Sequence, residues 1–176
     1  EMTRALVVYE SMFGNTQTIA QAIAEGLSSV GTVDLVEVGA APTSVPGDID
    51  LLVVGAPTHA FGLSRPGTRK SAADQAVDGI VSTGIGVREW LDALRTPHPA
   101  AAVAAFDTRV KVPLLPGSAA RRVLKRLRGF GFTVVDRPQS FFVVGTPGPL
   151  RDGEVEHARL WGAHLAAVLV ARRYSV

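Results

Sequence analysis

The sequence predicts one α/β domain spanning residues 1–176, with a parallel sheet covered by helices on both faces. Three observations predict it. Short apolar runs rich in Val, Leu and Ala alternate along the chain with longer segments whose apolar residues recur at helical spacing. Such β-α-β-α alternation builds a doubly wound sheet. The length of 176 residues and the 47% hydrophobic content suffice for one well-buried core and are short for two. No internal repeat or low-complexity linker divides the chain.

The elements follow in order. Residues 5–9 read as a buried strand, and 15–30 as a helix with Ile19, Ala20, Ile23, Ala24 and Leu27 on one face. Gly31 is expected to close that helix. Residues 32–38 alternate, as a half-buried edge strand does, and 41–47 form a Pro/Gly-rich connection. Residues 50–55 are continuously apolar, which predicts a central strand. The stretch 56–86 is long and irregular, with a short helix over 68–77. Residues 87–94 are helical and are stopped by Pro97 and Pro99. A fourth strand covers 100–106, and a helix over 118–128 is ended by Gly129. Residues 132–135 and 140–144 form a last strand, interrupted around Arg137-Pro138, and 154–171 is the closing helix.

The chemistry concentrates where the first strand meets the first helix. The run Ser11-Met12-Phe13-Gly14-Asn15-Thr16 places a short loop with a glycine and hydroxyls at a helix start. The first amides of a helix have no internal partner, and the helix dipole adds positive potential there. Ser11, Thr16 and Thr18 can add hydroxyl donors, and Gly14 permits a close backbone approach. No lysine is present, so this is not the triphosphate loop that ends Gly-Lys-Ser/Thr, and the Gly-x-Gly-x-x-Gly spacing of dinucleotide folds is missing. Neutral donors of this kind suit one terminal phosphate.

Val7 to Thr16, followed by Ala20 and Ile23, resembles the phosphate-loop signature of the flavodoxins without a gap. The resemblance implies a five-stranded parallel sheet in the order 2-1-3-4-5, with FMN bound at the carboxyl ends of its strands. It also implies two ring loops. The first is Pro57-Thr58-His59-Ala60-Phe61-Gly62, where Phe61 or His59 would take the place of the stacking Trp of other members; otherwise Phe61 is tucked into the core beneath a surface turn. The second is Phe106-Asp107-Thr108-Arg109. There Asp107 would accept from the ring N–H and Thr108 would donate to a ring carbonyl, and no stacking Tyr follows. Arg109 either turns inward, stabilising an anionic reduced flavin, or stands in solvent.

Charge sets this chain apart from the typically acidic bacterial flavodoxins. Its formal net charge is +2, and its basic residues are mostly arginine. That balance bears on the choice of redox partner proteins and is too weak to predict nucleic-acid binding. Two basic stretches stand out. Arg65, Arg69 and Lys70 beside the first ring loop form a docking surface, a contact for a second phosphate-bearing ligand such as a nicotinamide cofactor, or a solvated loop. Arg121, Arg122, Lys125, Arg126 and Arg128 share the outer face of one helix, the usual arrangement of a solvated face.

The absence of cysteine excludes disulfides, Fe–S clusters and thiolate chemistry. No apolar run reaches the ~20 residues of a membrane helix, and no secretory pattern opens the chain, so the expected location is cytoplasmic, without membrane insertion. The four histidines show no metal spacing, and no side chain presents itself as catalytic acid, base or nucleophile. The expected function is therefore electron transfer between redox partner proteins through non-covalent FMN, with the chemistry supplied by the cofactor. Two alternatives stay open: an FMN-dependent NAD(P)H:quinone oxidoreductase on the same scaffold, and a non-redox interaction protein with a weakened flavin site.

Overall fold

Each apolar run of the sequence becomes a strand of one parallel sheet. A computed structural model describes residues 2–59, 62–76, 78–97, 99–112 and 117–175. The strands are β1 (Thr3–Tyr9), β2 (Gly31–Glu37), β3 (Leu51–Pro57), β4 (Ala102–Val110), β5 (Thr133–Val134) and β6 (Gln139–Val143). They run β2-β1-β3-β4-β5, with β6 also paired to β4, which is the expected order. The last strand is thus split in two. Asp136 turns its carboxylate to the indole N–H of Trp161 at 2.8 Å, and Pro138 has no N–H to give a ladder.

Alternating residues of the central strands feed two cores. Leu6, Val8, Leu52, Val54, Val103 and Ala105 meet α3 (Val87–Ala93) and α4 (Ala119–Gly129) on one face. Ala5, Val7, Val53, Ala104 and Phe106 meet α1 (Asn15–Leu27) and α5 (Glu154–Arg173) on the other. Val7, Val8, Val53 and Val54 are fully buried, and each such side chain contributes roughly 1.5–3 kcal/mol. Phe106 meets Phe141 and Trp161 edge-on, with ring centroids 6.0 and 6.3 Å apart. The remaining helix, α2 (Pro66–Gln75), buries only Ala72.

Helices α1 and α5 meet backbone to backbone. A Cβ at Gly26 would lie 2.1 Å from the Arg159 carbonyl oxygen, and one at Gly162 would lie 2.3 Å from that of Ile23. Two other glycines act differently from expectation. Helix α1 stops at Leu27, and Gly31 opens β2, where a Cβ would strike the Thr3 backbone at 1.8 Å. Gly129 is the last residue of α4, and the left-handed turn falls on Gly131 (φ +99°). Close approach, and not the chain reversal, selects glycine at position 31.

The parallel registers align Tyr9 with Gly55 and Gly55 with Phe106. The loops after β1, β3 and β4 therefore leave the sheet at one edge. Among the described residues, no helix is long and apolar enough to cross a membrane.

Candidate cofactor site

Three loops converge on one cleft at that edge. It is lined by Ser11, Met12, Phe13, Asn15 and Thr16 from the first, by Pro57, Thr58 and His59 from the second, and by Thr108, Arg109 and Val110 from the end of β4. Val143 and Thr146 close it from the β6 side. Its enclosed volume is about 100 Å³, below the ~300 Å³ at which a pocket swallows a small ligand whole. That is room for a group the size of a phosphate.

The first loop is built from within by Ser11. Its fully buried Oγ accepts from the amides of Gly14 and Gln17, both at 3.2 Å, which leaves the hydroxyl proton to give. Ser82 holds the loop from outside: its Oγ accepts from Ser11 N at 2.9 Å, and its amide donates to Ser11 O at 2.7 Å. Gly14, the residue before α1, adopts φ +92° and supplies no side-chain cap. Among the described residues, no hydrogen bond uses the amides of Met12, Phe13, Asn15 or Thr16. The start of α1 is thus a cradle of unpaired donors at the positive end of a helix dipole, which fits an anion. Thr18 contributes nothing to it, because its hydroxyl bonds back to Gly14 O at 3.0 Å.

Thr16 and Thr108 complete the inner wall. Their hydroxyl oxygens are 2.6 Å apart, and both residues are buried. One hydroxyl donates to the other, so the pair retains one proton for a ligand oxygen. Asn15 reaches across to the Pro147 carbonyl at 3.3 Å.

His59 stands at the mouth. Its Nδ1 is 3.0 Å from Thr68 Oγ1, and its backbone exchanges two hydrogen bonds with Gly62. Burial, and then the charge of Arg69, hold the imidazole below the ordinary histidine range, so it is neutral at pH 7. Arg109 donates to the Gly117 carbonyl at 3.0 Å while lining the cleft. Its guanidinium is therefore anchored at the site, half-buried, and not a free solvent residue.

Other expected site residues lie elsewhere. Phe106 faces the α1/α5 core, its ring lying against Gly55, where a Cβ would meet it at 2.0 Å. Asp107 faces the opposite way and accepts from the Ala120 amide at 3.1 Å, under the start of α4. Thr58 does the same for the Ala119 amide at 3.1 Å, although it also reaches the cleft. The cause is strand length. β4 continues four residues past its apolar run because β6 pairs with Phe106 to Val110, so Phe106 and Asp107 are strand residues with fixed faces. Gly62 stays outside the cleft lining, near Arg122. Ala60 and Phe61 lie outside the described residues.

A polar network behind the cleft was not visible in the sequence. Glu10, fully buried, accepts from Ser64 Oγ at 2.6 Å and from the Val87 amide at 2.7 Å. Arg69 donates to the same Ser64 hydroxyl at 2.8 Å and pairs with Glu89. Arg69 is thus consumed internally, and the stretch from Arg65 to Lys70 is no continuous basic surface. Among the described residues, no cluster of His, Asp or Glu could hold a metal ion.

The geometry now has a match among known proteins. The family model described as flavodoxin matches residues 7–90, which include the first cleft loop and β3. Over that stretch the chain is similar to the flavodoxins, and its fold is flavodoxin-like. The fold agrees: flavodoxin 2 from Bacillus cereus superposes with a TM-score of 0.66 at 19% identity, covering 97% of this chain and 99% of that one. Two curated relatives are NAD(P)H dehydrogenases (quinone). The protein from Gluconacetobacter diazotrophicus is 35% identical over 81 residues, 46% of this chain and 37% of its own length. The one from Acidovorax ebreus is 36% identical over 99 residues, 43% of this chain and 47% of its own length. The matches thus span less than half of either relative. Proteins of the flavodoxin family bind flavin, typically FMN.

Proposed function

We propose that this chain binds one FMN without a covalent bond and passes electrons between redox partner proteins. The observation that carries the proposal is the uncapped start of α1, with unpaired amides facing a cleft shared by three strand-end loops. When bound, FMN supplies the redox chemistry at its ring. The protein supplies the rest. Met12, Phe13, Asn15 and Thr16 would offer amides to the phosphate, Ser11 and the Thr16–Thr108 pair would offer hydroxyl protons, and Ser82 keeps the loop in that shape. His59, Pro57 and Thr58 would flank the ring on one side. Arg109 would place a fixed positive charge beside it, favouring an anionic ligand state.

The two NAD(P)H dehydrogenase (quinone) relatives support a second reading, in which the bound flavin is reduced by a nicotinamide cofactor and reoxidised by a quinone. Anaerobic mixing of FMN-loaded protein with NADPH or NADH alone separates the two. A carrier keeps its flavin colour until a reductase protein is added. Rapid bleaching, with turnover when a quinone is supplied, identifies the reductase.

A further inference from the structure

A second groove, larger than the cleft, lies between α3 and α4. It holds about 490 Å³ and is lined by Leu63, Arg88, Arg122, Lys125, Arg126, Gly129 and Phe130. Buried Leu63 and half-buried Phe130 form an apolar floor. The rim carries four cations and no carboxylate.

Two of the cations are held in place. Arg88 donates to the backbone carbonyls of Leu63 and Ser64 at 2.9 and 3.1 Å. Arg126 pairs with Asp92 at 2.8 Å. Arg122 and Lys125 are exposed and, among the described residues, their side chains have no carboxylate or hydrogen-bond partner. Complementing the helix dipole explains a cation in the last turn of α4, as at Arg126, but not Arg122 and Lys125 further up. In a chain of net charge +2 this is a local segregation of charge.

We propose that this groove is a ligand site for a phosphorylated nucleoside. Its volume lies within the range of small-molecule sites, roughly 300–1,000 Å³. The half-buried ring of Phe130 offers a flat apolar surface for a base, and guanidinium groups take phosphate in a two-point grip. The anchored Arg88 and Arg126 lose little freedom on binding. The free Arg122 and Lys125 supply the charge that a phosphate would otherwise have to find in water. A ring at the floor with cations on the rim suits a base and its phosphate, and an acidic protein is the competing outcome of the test.

The groove adjoins the cleft. The Arg122 side chain lies 3.7 Å from where a Cβ at Gly62 would stand, and Gly62 is hydrogen-bonded to the cleft residue His59. A dinucleotide phosphate held here by its adenosine end would carry its other end toward the cleft. That last step rests on the flavin reading; the nucleotide site does not.

Calorimetric titration with 2′,5′-ADP, inorganic phosphate and adenosine, on wild type and on Arg122→Ala/Lys125→Ala, tests the proposal. Both positions are exposed on a helix, so the variant is expected to keep its far-UV circular dichroism. The expected result is binding of 2′,5′-ADP at least tenfold tighter than either fragment, weakened about tenfold or more in the variant, with FMN affinity unchanged. No binding at millimolar 2′,5′-ADP overturns the proposal, as does equal binding by the variant or by phosphate alone. Binding of polyglutamate in place of the nucleotide overturns it in favour of a protein-docking face. FMN binding without nucleotide binding refutes the groove alone, and nucleotide binding without FMN refutes the cofactor reading alone.

Discussion

The hydroxyls of Thr16 and Thr108 meet at 2.6 Å across 92 residues of sequence, joining the first turn of α1 to the end of β4. This contact ties the anion cradle to the sheet. Replacing Thr16 with Val leaves the buried Thr108 hydroxyl without a partner, which costs roughly 1–3 kcal/mol. Replacing both removes the polar pair, so the double variant should lose less than the sum of the singles in urea denaturation. Every one of these variants should bind FMN more weakly. Additive stability losses would show that the two hydroxyls are not coupled.

Asp107 accepts from the Ala120 amide at the start of α4 and lies outside the cleft lining. Asp107→Ala frees the Ala120 amide and should lower stability by roughly 1–3 kcal/mol, with FMN affinity changed less than twofold. A large loss of FMN affinity at unchanged stability would return Asp107 to the flavin.

Glu10 gives the fold a specific pH response. Burial holds its carboxyl above the ordinary value of 4.5, against the opposing pull of Ser64, the Val87 amide and Arg69. The folded chain therefore keeps this proton longer than the unfolded one. The resulting stability is full below about pH 4.5 and is lost as pH rises through the folded value. Glu10→Gln removes that titration. Unfolding free energies from pH 4 to 8 should show wild type losing ground to the variant as pH rises. A flat difference, or the opposite tilt, would contradict this assignment.

The α1–α5 contact tolerates no side chain at Gly162. A Cβ there meets the Ile23 carbonyl oxygen at 2.3 Å, and backbone cannot swing aside. Gly162→Ala should cost roughly 3 kcal/mol, at the upper end of overpacking effects. Gly129→Ala, with open space at its Cβ, should be neutral or stabilising. Thermal denaturation of the two variants checks the contrast.

What the sequence made legible was local. The loop from Ser11 to Thr16 could be read because strand, glycine and helix start lie next to each other. The strand order followed from the resemblance that this loop carries. Contacts set by distant segments were hidden. Ser82 lies 71 residues from Ser11, inside a stretch without periodicity, and nothing local marks it as the loop's anchor. Glu10 offered a faint signal, a carboxylate ending an apolar run. Phe106 and Asp107 were misplaced because composition ends a strand where apolar residues end, whereas pairing with β6 extends it. Arg69 looked like surface charge, and only the fold turns it onto Ser64 and Glu89.

Titration of flavin-free protein with FMN tests whether the cleft at the start of α1 holds the cofactor. Flavin fluorescence and visible absorbance after removal of the excess would be followed for wild type and Thr16→Val. Saturation near one FMN per chain is expected, with affinity weakened about tenfold in the variant. A folded protein that stays colourless, or a variant that binds as tightly as wild type, would contradict it.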